Sequence, residues 1–195
     1  TLVIEAFVRM FRISNERLKF LINKAKPGVK SYKRMVEMHE ITEDIVNDMN
    51  FQRVFNGLYQ VRRNAQWRKH YYKIMGEKRV PDFEYVLKKM HRLTHRVEPS
   101  FSSKLVATRD REKLLWDQWI LKNLGLGRSL QYKKSSEEKI HLCLEIYKAI
   151  TNWHQEHIAS SEGTKWIAMF DRLIDETVGI SDVKKIDFVL WQMRD

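Results

Sequence analysis

An all-α, compact multi-helix domain is the fold this sequence predicts, on three observations. Apolar residues recur three and four apart along most of the chain, as at Ile140, Leu144, Tyr147 and Ile150, or Ile186, Val189, Leu190 and Met193. That spacing lines one face of a helix. Only 7 Gly and 3 Pro occur among 195 residues, too few turn-formers for an all-β sandwich or barrel. Hydrophobic residues make up 43%, which supplies a core and excludes a disordered, charge-dominated chain. The length suits a single domain over 1–195, burying roughly 70% of its unfolded surface.

Helix starts are expected where a side chain can accept from free backbone N–H groups: Ser14, Thr42, Asp82 after Pro81, the Ser135 to Glu138 pair, and Ser181. Breaks are expected at Pro27-Gly28, Gly76 to Pro81, Glu98-Pro99, Gly125 to Gly127 and Gly163. Between them the periodicity places helices at about 2–12, 14–24, 31–38, 42–49, 51–75 and 82–95. It continues with 101–108, 115–124, 136–158, 164–175 and 181–194. No repeat or long linker interrupts them, and two helical lobes facing a cleft are one layout such a string can adopt.

Lys plus Arg exceed Asp plus Glu by 36 to 25, a formal charge of +11, which favours a polyanionic partner: nucleic acid first, a membrane surface second. The single cysteine, Cys143, excludes an intrachain disulfide and any four-cysteine zinc or iron-sulfur site, and suits a reducing, intracellular setting. His154, His157 and His141 lack the companions of a zinc motif. No uncharged apolar run reaches spanning length, and Glu5 and Arg9 interrupt the N-terminal run, so neither a membrane span nor a signal peptide is expected.

The strongest charge asymmetry lies in residues 60–80, where Arg62, Arg63, Arg68, Lys69, Lys73, Lys78 and Arg79 face Glu77 alone, with Trp67, Tyr71 and Tyr72 interleaved. Guanidinium groups grip phosphates in bidentate fashion and aromatic faces stack on exposed bases, so the mixture suits a nucleic-acid surface. A solvated helix with its aromatics turned into the core is the plainer reading of the same run.

A second constellation runs from Glu98-Pro99-Ser100-Phe101-Ser102-Ser103-Lys104 to Trp116-Asp117-Gln118-Trp119. Ser102 or Ser100 can cap a short helix carrying Lys104 in its first turn, where the helix dipole disfavours the ammonium and promotes a nucleophilic amine. Asp117 opens the next helix, and the intervening loop is long enough to fold it back toward Lys104. The plainer alternative is that Asp117 only caps its helix and Lys104 is a surface charge.

The order helix, hairpin, Ser103-Lys104-Leu105-Val106-Ala107, short connection, Trp116-Asp117, helix resembles the helix-hairpin-helix DNA glycosylases, especially compact bacterial proteins of the 8-oxoguanine glycosylase fold. The likeness centres on residues 96–124, with weaker similarity from Gly57 to Tyr72 and from Lys184 to Trp191. It implies that Lys104 attacks the sugar's anomeric carbon while Asp117 supports the amine and the cationic transition state. The implied activity is excision of a damaged base such as an oxidised purine, with an accompanying AP-lyase step and no metal or other cofactor. The implied partner is damaged duplex DNA, bound by a monomer in the cytoplasm. Arg62, Arg63, Arg68, Lys69, Ser102 and Ser103 are the expected DNA contacts, and Phe101 and Trp116 the expected base pocket, with Trp119 in the core.

Three features depart from the family pattern, one being the separation of 13 residues between Lys104 and Asp117, shorter than in the better-known members. Where its hairpin carries Gly-x-Gly before the Lys, this chain has Val97-Glu98-Pro99-Ser100-Phe101, and Leu115-Trp116 replaces a proline-containing turn before the Asp. A non-catalytic DNA-binding protein of the same fold is one alternative. Another is a ribonuclease of the HEPN type, whose Arg and His are similar to Arg63 and His70 at the limit of that family's spacing.

Overall fold

The computed structural model describes residues 12–126, 135–175, 177 and 179–194, and among these the regular structure is entirely helical. The order is α1 (Asn15–Ile41), α2 (Met49–Tyr59), α3 (Ala65–Met75), α4 (Phe83–Thr94), α5 (Pro99–Arg109), α6 (Gln118–Asn123), α7 (Ser136–Ala159), α8 (Ser161–Leu173) and α9 (Asp182–Gln192). The helix expected over 2–12 falls, but for its last residue, outside the described residues, as do Gly127 and the segment to residue 134. Among the described residues no helix is long and apolar enough to cross a membrane.

Most expected caps form. Ser14, Asp82, Ser135 and Ser181 each accept from a backbone N–H of the following turn, and Ser135 with Glu138 completes a capping box. Four expectations fail for identifiable reasons. Pro27-Gly28 does not break the chain: α1 runs through it because Leu18, Leu21, Ile22, Ala25, Val29, Tyr32 and Met35 form one buried stripe, whose packing outweighs a local penalty of about 3 kcal/mol for proline. Thr42 ends α1 instead of starting a helix, and Asp44 turns the chain by accepting from the Val46 N–H, so the helix expected over 42–49 is absent and only Met49 is helical, as the first residue of α2. The helix expected over 51–75 divides at Gln60, which is left-handed (φ 51°), because Asn64 caps a new helix through the Trp67 N–H.

Gly163, the fourth failure, lies inside α8, and the break is at Ser160. The glycine is needed for closeness: a Cβ there would overlap the carbonyl oxygen of His157 across the α7–α8 corner.

α9 is the axis of the molecule, packed against α1, α6, α7 and α8. Every residue from Lys184 to Leu190 is buried, so charged side chains on this helix are forced inside. α4 and α5 lie against each other, joined by His95-Arg96-Val97-Glu98. His95 makes the turn in the left-handed region (φ 55°) and Pro99 supplies the first residue of α5.

Replacing Gly163 with Ala would add helix propensity of about 1 kcal/mol on an open helix. Here the overlap with His157 reverses the sign, and a net loss of about 1–3 kcal/mol is expected from overpacking. Urea unfolding of Gly163→Ala measures it; an unchanged or raised midpoint would contradict the corner geometry.

Candidate active site

The α4–α5 turn is fastened by a buried carboxylate. Glu98 is buried, accepts from the Trp67 indole N–H at 2.6 Å and pairs with Arg63. Both partners come from the α2–α3 region, so this carboxylate ties the start of α5 to α3. Arg63 also lies 5.1 Å from the Phe101 ring centroid.

α5 begins at Pro99, which puts Lys104 in its second turn. The helix dipole acts within the first turn, so it does not tune Lys104 as the sequence suggested. Burial does. Lys104 Nζ lies 5.1 Å from the Phe101 ring centroid and 5.6 Å from that of Tyr59. Desolvation there lowers the ammonium pKa from its ordinary value, with Asp117 opposing.

Asp117 is placed by two consecutive backbone hydrogen bonds. The Leu115 N–H donates to Asp187 Oδ2 at 3.0 Å and the Trp116 N–H donates to Ser103 Oγ at 2.8 Å. The next residue, Asp117, caps α6 by accepting from the Trp119 N–H at 2.8 Å. Burial raises its carboxyl pKa, while the Trp119 N–H, Lys104 and Arg194 oppose the rise. The cap expected by the plainer reading is therefore present, and the same side chain also lines a cavity.

That cavity, of about 480 Å³, is lined by Lys104 and Asp117 together with Tyr59, Phe101, Trp116, Trp119 and Trp191, and reaches inward to Tyr32, Lys184 and Asp187. Its volume falls in the range of small-molecule sites, roughly 300–1,000 Å³. Lys104 and Asp117 make no direct hydrogen bond or ion pair among the described residues, so a group entering between them can meet both.

The expected contacts distribute unevenly. Phe101 and Trp116 both line the cavity; Trp116 is held from behind by stacking on Phe83, which stacks on Tyr147 at 3.8 Å. Ser102 and Ser103 are fully buried, a correction to their expected role at the DNA surface. Ser102 donates to the Glu98 carbonyl, and Ser103 donates to the Ser100 carbonyl while receiving the Trp116 N–H. Arg62 and Arg63 border a separate hollow with Gln66, His70 and Arg96, whereas Arg68 and Lys69 border another with Arg53 and Asn56. Arg63 is 32% exposed and committed to Glu98. Trp119, expected in the core, instead lines the cavity, flanked by Lys122 and Arg194 at 5.2 and 5.7 Å from its ring.

Tyr32, Tyr59, Lys184, Asp187, Trp191 and Arg194 were not singled out in the sequence as site residues. The only sequence signal for three of them was the weak similarity from Lys184 to Trp191. Among the described residues no group of three or more His, Cys, Asp or Glu is placed to hold a metal ion. Compared with known proteins, the chain matches no protein-family model, no curated protein and no solved structure.

A desolvated ammonium is a cost to the fold below its own pKa, because folding must remove a charge from water. Lys104→Met keeps the aliphatic contacts to Phe101 and Tyr59 and removes that charge, so its melting temperature is expected to equal or exceed that of the parent at pH 7. A clear loss of stability would show that the ammonium's contacts with the Phe101 and Tyr59 rings and its attraction to Asp117 outweigh its desolvation.

Proposed function

We propose that this chain excises a damaged base from duplex DNA, with Lys104 as nucleophile and Asp117 as the carboxylate that supports it. The observation that carries the reading is the convergence of these two groups, from α5 and the start of α6, on one aromatic-walled cavity. A flipped nucleotide needs such walls to recover stacking lost in the duplex, and the charge of +11 suits phosphate contact. The α4–α5 pair supports a helix-hairpin-helix arrangement of glycosylase type.

In this reading the neutral Lys104 amine attacks C1′ of the sugar as the C1′–N bond breaks. The base leaves with the bonding electron pair and takes up the proton that the attacking nitrogen sheds, passed on through Asp117. Opening of the sugar ring gives an imine between Lys104 and C1′. The imine acidifies C2′, and loss of its proton expels the 3′ phosphate, which is the AP-lyase step. Burial of both groups serves this chemistry by favouring the free amine and a more basic carboxylate.

A non-catalytic DNA-binding protein of this fold would gain more from an exposed lysine than from one withdrawn among aromatic rings. The ribonuclease reading is weakened by Arg63, whose guanidinium is engaged by Glu98, and by His70, whose ring contacts Gln66.

Borohydride trapping on a panel of lesion-containing duplexes tests the proposal: a covalent adduct is expected with the parent protein and none with Lys104→Ala. The trapping rate should rise with pH and level off below the ordinary lysine value of 10.5, because burial favours the free amine. In Asp117→Asn a carboxylate that stabilises the ammonium is removed, so the rising limb should move to lower pH. The plateau should fall by about two to four orders of magnitude. An unmoved limb with a normal plateau would leave Asp117 as a cap alone.

Phosphate contacts release counterions, so duplex affinity should fall steeply with salt. Arg62→Ala, Arg68→Ala and Lys69→Ala combined should flatten the log–log slope by about 0.9 for each phosphate no longer neutralised, with Arg63 retained because it holds Glu98. An unaltered slope would place the DNA on another face.

A further inference from the structure

The inner wall of the cavity carries hydrogen-bonding capacity that the excision chemistry leaves unused. Tyr32 on α1 and Lys184 on α9 both line it, each about 1% exposed to solvent. The Tyr32 hydroxyl is buried with no hydrogen-bond partner, a condition that folded proteins rarely tolerate without a use. Burial pushes its pKa up to about 12, so it keeps its proton at neutral pH. Lys184 Nζ lies 5.5 Å from the Tyr32 ring centroid and donates to Asp187 Oδ2 at 3.1 Å. An ammonium has three N–H bonds, and among the described residues this is its one hydrogen bond.

Asp187 is already engaged by three donors, which leaves its carboxylate little capacity for a ligand. Its Oδ1 meets His154 Nε2 at 3.0 Å, and its Oδ2 accepts from both Lys184 and the Leu115 N–H. The wall therefore offers an ammonium and a phenol beside a carboxylate with at most one acceptor site left. An exocyclic amine brought against it would set donor against the ammonium, with the Tyr32 oxygen left to accept, whereas a carbonyl oxygen can accept from both groups.

We infer that Tyr32 and Lys184 read the inserted base by donating to an exocyclic carbonyl oxygen, so that the cavity selects oxo-bearing bases over those with an amine or hydrogen at that place. The inference rests on the excision reading only in putting a base into the cavity. It assigns the substrate class, an oxidised or deaminated base, to named atoms outside the Lys104–Asp117 pair.

The test uses the Lys104→Ala protein, which cannot form the covalent adduct, and two duplexes with either hypoxanthine or unsubstituted purine at one position opposite cytosine. The two lesions differ at C6, where hypoxanthine carries the carbonyl oxygen, and at the adjoining N1, which bears a hydrogen only in hypoxanthine. Fluorescence anisotropy at fixed salt is expected to give tighter binding of the hypoxanthine duplex by about ten-fold, the worth of a good hydrogen bond. Adding Tyr32→Phe should reduce that ratio several-fold. The ring and its packing on Phe188 are kept, so Lys104→Ala/Tyr32→Phe should melt no lower than Lys104→Ala. Equal binding of the two duplexes, or a ratio untouched by Tyr32→Phe, overturns the inference and leaves excision standing. A preserved ratio with no trapping by the parent protein would defeat excision and leave base reading in place. Absence of binding to either duplex would defeat both.

Discussion

Asp187, 2% exposed in the middle of α9, accepts from donors supplied by three parts of the chain. His154 comes from α7, Lys184 from one turn earlier on α9, and the Leu115 N–H from the connection between α5 and α6. Burial alone would raise the carboxyl pKa; Lys184 and His154 outweigh it and hold the group below the ordinary carboxylate value. A carboxylate in that position without partners would carry a desolvation cost of several kcal/mol. The donors are therefore obligatory, and meeting them fixes where the connection runs. Once the Leu115 N–H is committed to Asp187 and the Trp116 N–H to Ser103, Asp117 has little freedom left. A charge on one helix thus positions a second carboxylate seventy residues earlier in the chain.

The same burial that orders the site also works against it. Lys104 loses hydration among Phe101 and Tyr59, and Asp117 loses it at the cavity wall, so their pKa values move toward each other. A direct ion pair would cancel much of that movement by stabilising both charges. Keeping the two groups in one cavity without contact retains it. This distinguishes the Lys104–Asp117 pair from the Lys184–Asp187 pair on the inner wall of the same cavity, where the two groups are in direct contact at 3.1 Å. Two lysine–aspartate pairs lie within one region, and geometry divides their work.

The helical class and most helix positions were legible because their signals are local: three-and-four spacing, and caps such as Asp82 and the Ser135–Glu138 box that act within one turn. The continuity of α1 through Pro27 was not, since it depends on a stripe buried by α2, α8 and α9. Lys104 and Asp117 were legible as residue types at a suggestive spacing, but the cause assigned to Lys104 was wrong. Its helix starts at Pro99, and desolvation beside Tyr59 of α2 and Phe101 of its own helix replaces the dipole. Ser102 and Ser103 looked like surface hydroxyls because hydroxyls usually are; their burial follows from α5 being packed between α3 and α4. Lys184 and Asp187 read as ordinary helix charges at a spacing of three. Only the four helices around α9 reveal that this pair is inside.

The turn between α4 and α5 has a structural logic of its own. A Gly-x-Gly turn leaves backbone N–H groups free to approach an anion, whereas Glu98 brings a carboxylate to the start of α5. Left unpaired it would repel a phosphate; the Arg63 guanidinium neutralises it and the Trp67 indole N–H satisfies its second oxygen. One cation of the basic segment is consumed in that way, so the segment's charge overstates what it can offer a ligand. What remains near the turn is Arg62 and Arg96, both exposed and bordering the same hollow. An anion meeting this face would find those side chains and not backbone N–H groups of the turn. Binding carried by such side chains is governed by charge count and salt more than by the shape of the turn.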